Sequence, residues 1–164
     1  MLRINIICIG KIKEQFLRDA INEYSKRLSK YCNLNIIELP DKKIPDKSNI
    51  SIENQIKDFE SNEIITHLIK DSYNICLDLK GKEYSSENFA MKISDIQIIN
   101  SSITFIIGGS LGFNDDVKKI CNESICFSKM TFPHQLIRVF LLEQLYRAFK
   151  INNNETYHKW YINL

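Results

Sequence analysis

Apolar residues along this chain follow two alternating rhythms. Five short runs, LRINIICI (2–9), NLNIIEL (33–39), YNICLDL (73–79), SITFII (102–107) and ESICFS (123–128), have the length and β-branched content of buried strands. Between them the period lengthens to that of a helix. From Glu14 to Tyr31, the residues Phe16, Ala20, Tyr24, Leu28 and Tyr31 share one side. Ser51 to about Lys70 reads as a second helix, with His67 inside it, and Ser85 with Asn88 opens a third. Asp115 and Asp116 begin a short fourth, where acidic side chains complement the helix dipole. Pro133 stands in the first turn of a last helix that reaches about Lys150. Pro40 closes the second strand and Gly81 the third, while residues 40–50, with Lys42, Lys43 and Lys47, form an exposed loop. Strands alternating with helices predict an α/β fold, a mostly parallel sheet with helices on both faces. One domain over residues 1–164 accounts for the length.

The last helix departs from the usual amphipathic pattern. Leu136, Ile137, Val139, Phe140, Leu141, Leu142, Leu145, Ala148 and Phe149 occupy nearly every angle around its wheel. A helix apolar all round is buried on more than one side. In a chain this short, a second copy of the chain is a reasonable cover.

Composition adds two constraints. Hydrophobic residues make up 44% and charged residues 26%, which excludes a disordered chain and leaves enough apolar material for a core. Ile is used 28 times and Lys 17, against 5 Arg and 3 Ala. That bias is the mark of AT-rich coding, so lysines say little about partners and arginines say more. The net charge of +2 is unevenly spread: residues 129–164 hold five basic groups against two acidic ones, a net of +3. Tyr146, Tyr157, Trp160 and Tyr161 are interleaved with them. This pattern fits an RNA surface, where cations meet phosphates and aromatics stack on bases. It also fits a solvated face with a few aromatic anchors.

Chemistry is sparse elsewhere. Gly108, Gly109 and Gly112 follow the fourth strand with a G-G-x-x-G spacing, which is neither the dinucleotide fingerprint nor a P-loop. The cluster reads either as a tight strand-to-helix turn or as backbone open to a ligand outside the strand ends. The five cysteines form no C-x-x-C pair, Cys8 and Cys76 fall inside strands, and Cys121 and Cys126 have no ligand set around them. Reduced thiols in a cytoplasmic protein without a metal are expected. No serine–histidine–aspartate order or nucleophile elbow supports a hydrolase, and no targeting segment or membrane span is expected.

Several motifs together resemble one family. FIIGGSLG (105–112), CFSKMTFPHQLIRVFLLEQLYRAFKI (126–151) and TYHK (156–159) are similar to the ribosomal large-subunit methyltransferase H family, in the SPOUT class. INIICIGKIKEQF (4–16) and EYSKRLSKY (23–31) extend the likeness over nearly the whole chain. The tail Trp160 to Leu164 runs past the family's usual ending.

The resemblance implies a SPOUT fold with a C-terminal trefoil knot and a homodimer. It implies S-adenosylmethionine as methyl donor and N3 of a pseudouridine in large-subunit 23S rRNA within the ribosome as acceptor. Carried over by motif, the cofactor pocket uses Leu77, Gly108, Phe127, Ser128, Lys129, Met130, Thr131 and Phe132. Catalysis falls to His134, Arg138, Tyr157 and His158, and RNA contact to Arg147, Lys150 and Lys159. His134 and Arg138 are one turn apart and share a face between the donor loop and the acceptor. Two other readings stand beside this one: a SPOUT enzyme acting on tRNA or another base, and a nucleotide- or RNA-binding module without catalysis.

Overall fold

The computed structural model describes residues 1–157. Its frame is a five-stranded sheet of β1 (Leu2–Ile9), β2 (Cys32–Leu39), β3 (Tyr73–Glu83), β4 (Ser102–Ile107) and β5 (Glu123–Cys126). The helices between them are α1 (Gln15–Leu28), α2 (Ile50–Thr66), α3 (Ser86–Ile99), α4 (Asp115–Ile120) and α5 (His134–Asn152). The strands lie in the order β2-β1-β4-β3-β5 and pair in parallel.

The strand period of two builds two cores. Ile4, Ile6 and Cys8 of β1 enter one with Leu28 of α1, Phe89 and Ile93 of α3, and Leu141 and Leu145 of α5. Ile7 and Ile9 point the other way, to Ile64 of α2 and Val117 of α4. A strand covered on both faces is apolar at almost every position, which is why β1 and β4 read as unbroken runs. The polar exceptions are paired: buried Asn5 donates to Ser102 Oγ at 3.1 Å, and Ser102 donates to Ser72 Oγ at 3.1 Å.

Four local expectations are corrected. Phe16 is 69% exposed; the buried side of α1 runs through Leu17, Ile21, Tyr24 and Leu28, whose spacing of four, three and four keeps the helical phase. His67 is the C-cap of α2 rather than an interior residue, with its Nδ1 2.8 Å from the Glu63 carbonyl oxygen. Pro133 is the N-cap of α5, one residue before the helix begins. Gly81 does not end β3. The strand leaves its partner after Leu77↔Ile125 and rejoins it at Lys82↔Ile125, so residues 78–81 bulge out of the sheet. Glycine is required at 81 because a Cβ there would lie 2.5 Å from the Ile125 carbonyl carbon.

No helix among the described residues is long and apolar enough to cross a membrane.

Candidate active site

The carboxyl ends of β3, β4 and β5 open into a cleft of about 740 Å³. Its first wall is the turn after β4. A Cβ on Gly108 would lie 2.7 Å from the Gly112 carbonyl carbon, and one on Gly109 would lie 2.8 Å from Glu60 Oε2. Gly112 has φ +73°, and its N–H donates to the Gly109 carbonyl at 3.0 Å. The turn is therefore tight, as one of the two sequence readings has it, and the same glycines line the cleft.

Helix α2 supports the turn from behind. Ser61 Oγ accepts the Asn114 N–H at 3.0 Å, and Glu60 Oε1 accepts the Lys42 N–H at 3.1 Å. Burial raises the Glu60 pKa above the usual carboxylate range, partly offset by that bond from Lys42. Asn114 then caps α4 through the Asp116 and Val117 N–H groups.

The second wall is the β3 bulge, which presents Leu77, Asp78 and Leu79. Asp78 is bridged to Lys118 of α4 at 2.8 Å, and both side chains face the cleft. Burial on its own would raise the Asp78 pKa; the bonds from Lys118 and the Lys80 backbone outweigh it and hold the carboxyl below its ordinary value. The third wall is the loop after β5, shaped by Ser128 Oγ accepting the Met130 N–H at 3.0 Å and by the Cys126 thiol donating to the Ser128 carbonyl at 2.9 Å. His134 and Ile137 of α5 complete the enclosure.

Most of the residues assigned from sequence meet here. Leu77, Gly108, Phe127, Ser128, Met130, Thr131, Phe132 and His134 line the cleft; Lys129 is exposed and outside its wall. The His134 pKa is pulled below its usual value, first by burial and then by the nearby Arg138 charge, against a weaker pull from Asp41.

Arg138 is the main correction. The expectation places it beside His134, facing an incoming base, but its side chain is 2% exposed and absent from the cleft wall. Its Nη1 donates to Glu38 Oε2 at 3.1 Å and its Nη2 to the Ile9 carbonyl at 2.5 Å. Glu38 also accepts the Ile12 N–H at 2.9 Å. His134 and Arg138 are one turn apart on α5, yet only the first lines the cleft; the longer Arg138 side chain ends at the carboxyl ends of β1 and β2.

Arg147, Lys150 and Tyr157 gather elsewhere, along α5 and beyond its end. Arg147 Nη2 lies 2.6 Å from Glu143 Oε1, and its guanidinium stands 4.8 Å from the centre of the Tyr157 ring. The Tyr157 hydroxyl donates to Glu143 Oε1 at 3.2 Å, and burial followed by the Glu143 charge pushes its pKa up to about 12. Lys150 pairs with Glu155 at 2.5 Å. Glu143 lines a smaller hollow of about 290 Å³ that shares Phe127, Ser128 and Phe132 with the larger cleft. The loop after β5 thus has the cleft on one side and the Glu143 cluster on the other. His158 and Lys159 lie outside the described residues.

Sequence reasoning missed Asp78, Lys118 and Glu38. Asp78 was accessible to it, since it directly follows Leu77 at the end of a strand. Nothing in the spacing marks Lys118 as its partner, because the bulge that joins them has no sequence period.

Comparison with known proteins adds a family. A family model described as a predicted SPOUT methyltransferase matches residues 2–158. A protein of Clostridium acetobutylicum named ribosomal RNA large subunit methyltransferase H is 54% identical over 159 residues, 96% of this chain and 100% of that protein. One of the same name from Clostridium botulinum (strain Langeland) is 56% identical over the same share of each chain. Among solved structures, a probable methylase family protein from Haemophilus influenzae aligns with a TM-score of 0.57 at 14% identity, covering 98% of this chain and 72% of the other. That last likeness concerns the fold alone.

Proposed function

The chain belongs to the SPOUT methyltransferase family, and from that premise we propose that it carries a methyl group from S-adenosylmethionine to the RNA of the large ribosomal subunit. The observation that carries the proposal is the cleft of about 740 Å³ at the ends of three parallel strands. It falls within the roughly 300–1,000 Å³ typical of small-molecule sites. Its chemistry fits the donor. A glycine turn without a P-loop lysine suits an adenosyl group better than a polyphosphate, and Leu77, Ile107 and Ile137 offer apolar cover. The names of the two clostridial relatives support the acceptor class. Our reading goes further, to N3 of a pseudouridine in 23S rRNA, methylated on the assembled ribosome in the cytoplasm by a homodimer with a C-terminal trefoil knot.

When bound, S-adenosylmethionine supplies an electrophilic methyl group on a sulfonium. The protein's part is positioning and proton handling. The turn 108–112 and the loop 127–132 would hold the adenosyl side, with the apolar residues between them excluding water. His134, kept neutral by burial and by Arg138, takes the imide proton of the acceptor base. Arg138 is a positioning residue, tying the first turn of α5 to the ends of β1 and β2. Tyr157, Arg147 and Lys150, with His158 and Lys159, form the acceptor side, where phosphates replace Glu143 and Glu155 as partners of the cations.

The test is a calorimetric titration with S-adenosylmethionine, followed by transfer of labelled methyl groups to intact ribosomes, naked 23S rRNA and tRNA. Saturable binding and label confined to one pseudouridine of ribosomal 23S rRNA are expected. Absence of binding, or label appearing in tRNA, would overturn the proposal.

A further inference from the structure

Resting on the donor reading above, we propose that Asp78 and Lys118 form the subsite for the amino-acid end of S-adenosylmethionine. Among the described residues they supply the only carboxylate and the only ammonium of the cleft wall. The rest of that wall is apolar, glycine backbone or neutral polar, apart from His134. The two groups sit 2.8 Å apart in the bridge. A free α-amino acid carries its ammonium and carboxylate on one carbon, at a comparable spacing. Such a zwitterion can exchange with the bridge as a whole: its ammonium takes Asp78, its carboxylate takes Lys118, and both protein charges keep a partner.

The local structure favours this exchange. Asp78 leads the bulge of residues 78–81, where β3 leaves β5, so its side chain stands in the cleft instead of in the sheet. Glycine at 81 lets the bulge close tightly against Ile125. Asp78 Oδ1 also accepts the Lys80 N–H at 3.3 Å, which fixes the carboxylate when Lys118 moves away. The side chains are 17% and 34% exposed. The pair is partly shielded from solvent, so opening the bridge requires that each charge gain a new partner, which the zwitterion supplies. A sulfonium near Asp78 adds a second attraction of the same sign.

The subsite predicts a split between two ligands that share the adenosine. S-adenosylhomocysteine carries the amino-acid end, and 5′-methylthioadenosine lacks it. By calorimetry on the full chain, Asp78→Asn and Lys118→Gln should each weaken S-adenosylhomocysteine about tenfold or more, the scale of losing one charge-assisted bond. Both variants should bind 5′-methylthioadenosine as the wild type does, which also reports an intact cleft. Unchanged affinity for S-adenosylhomocysteine in both variants overturns the subsite, and so does an equal loss for both ligands. A wild-type protein that binds neither ligand overturns the donor reading itself, and the subsite with it.

Discussion

At Arg138 the guanidinium donates to the Glu38 carboxylate and the Ile9 carbonyl, while its buried Nε has no hydrogen-bond partner among the described residues. Replacing it with an apolar side chain of similar length keeps the volume but removes the guanidinium from both acceptors. Breaking a buried pair from one side costs about 3–5 kcal/mol. Glu38 keeps the Ile12 N–H and is 34% exposed, so Arg138→Met should lose about 3 kcal/mol, the lower end of that range. Urea denaturation measures this, and a loss under about 0.5 kcal/mol, within the scatter of exposed pairs, would contradict it. His134 carries a pH prediction. Its folded pKa is depressed, so protonation is disfavoured in the native protein and the neutral base persists below the ordinary value of 6.5. Any stability linked to it is complete above pH 6.5 and is lost as pH falls through the folded pKa. Single-turnover methylation should therefore show an acidic limb centred below pH 6.5. His134→Asn should remove that limb and slow the reaction by ~10²–10⁴-fold. An acidic limb at the same pH in the variant would assign the proton transfer elsewhere.

Elements were legible from sequence where burial alone decides their pattern, and less so where two segments meet at close range. β1 and β4 are apolar on both faces, so their spans emerge directly from the runs 2–9 and 102–107. Helix α4 begins at Asp115 as its acidic first turn suggests, with Asn114 as cap. For α1 the choice between Phe16 and Leu17 as the inward residue is a one-position phase error, since both are large and apolar. At Gly81 the usual sense of glycine as a strand end failed, because its role is a close approach to the Ile125 backbone from a distant part of the chain. The site divides in the same way. Leu77, Gly108 and the loop from Phe127 are strand ends, which topology brings together and sequence can anticipate. Asp78 with Lys118 depends on a bulge and Arg138 with Glu38 on a contact between residues 100 apart in sequence, and neither leaves a periodic trace.

At the scale of the molecule, α5 packs against α1 and α3 and buries Leu141, Leu142, Leu145, Ala148 and Phe149 within the chain. The first half of its opposite side remains apolar, before Glu143 and Arg147. Phe140 is 37% exposed and meets Phe132 edge to face at 5.2 Å, while Leu136 and Val139 are only half-buried. The smaller hollow beside Phe140 and Gln144 continues this surface toward the N-terminus of α3. A contiguous apolar surface next to a binding cleft is a usual place for a protein contact. A self-complementary contact between two copies is the commonest way to cover one, and a stable interface of that kind buries about 1,200–2,000 Å². Sedimentation at micromolar concentration should therefore give twice the chain mass of 19.2 kDa. Phe140→Glu places a charge at the centre of the proposed contact, where it would be desolvated without a partner. That variant should sediment as a monomer with an unchanged circular dichroism spectrum, because Phe140 is the outermost of the apolar residues on α5. A wild-type protein that is monomeric under these conditions would remove the dimer from the proposal. A Phe140→Glu variant that stays dimeric would move the interface to another face of the molecule.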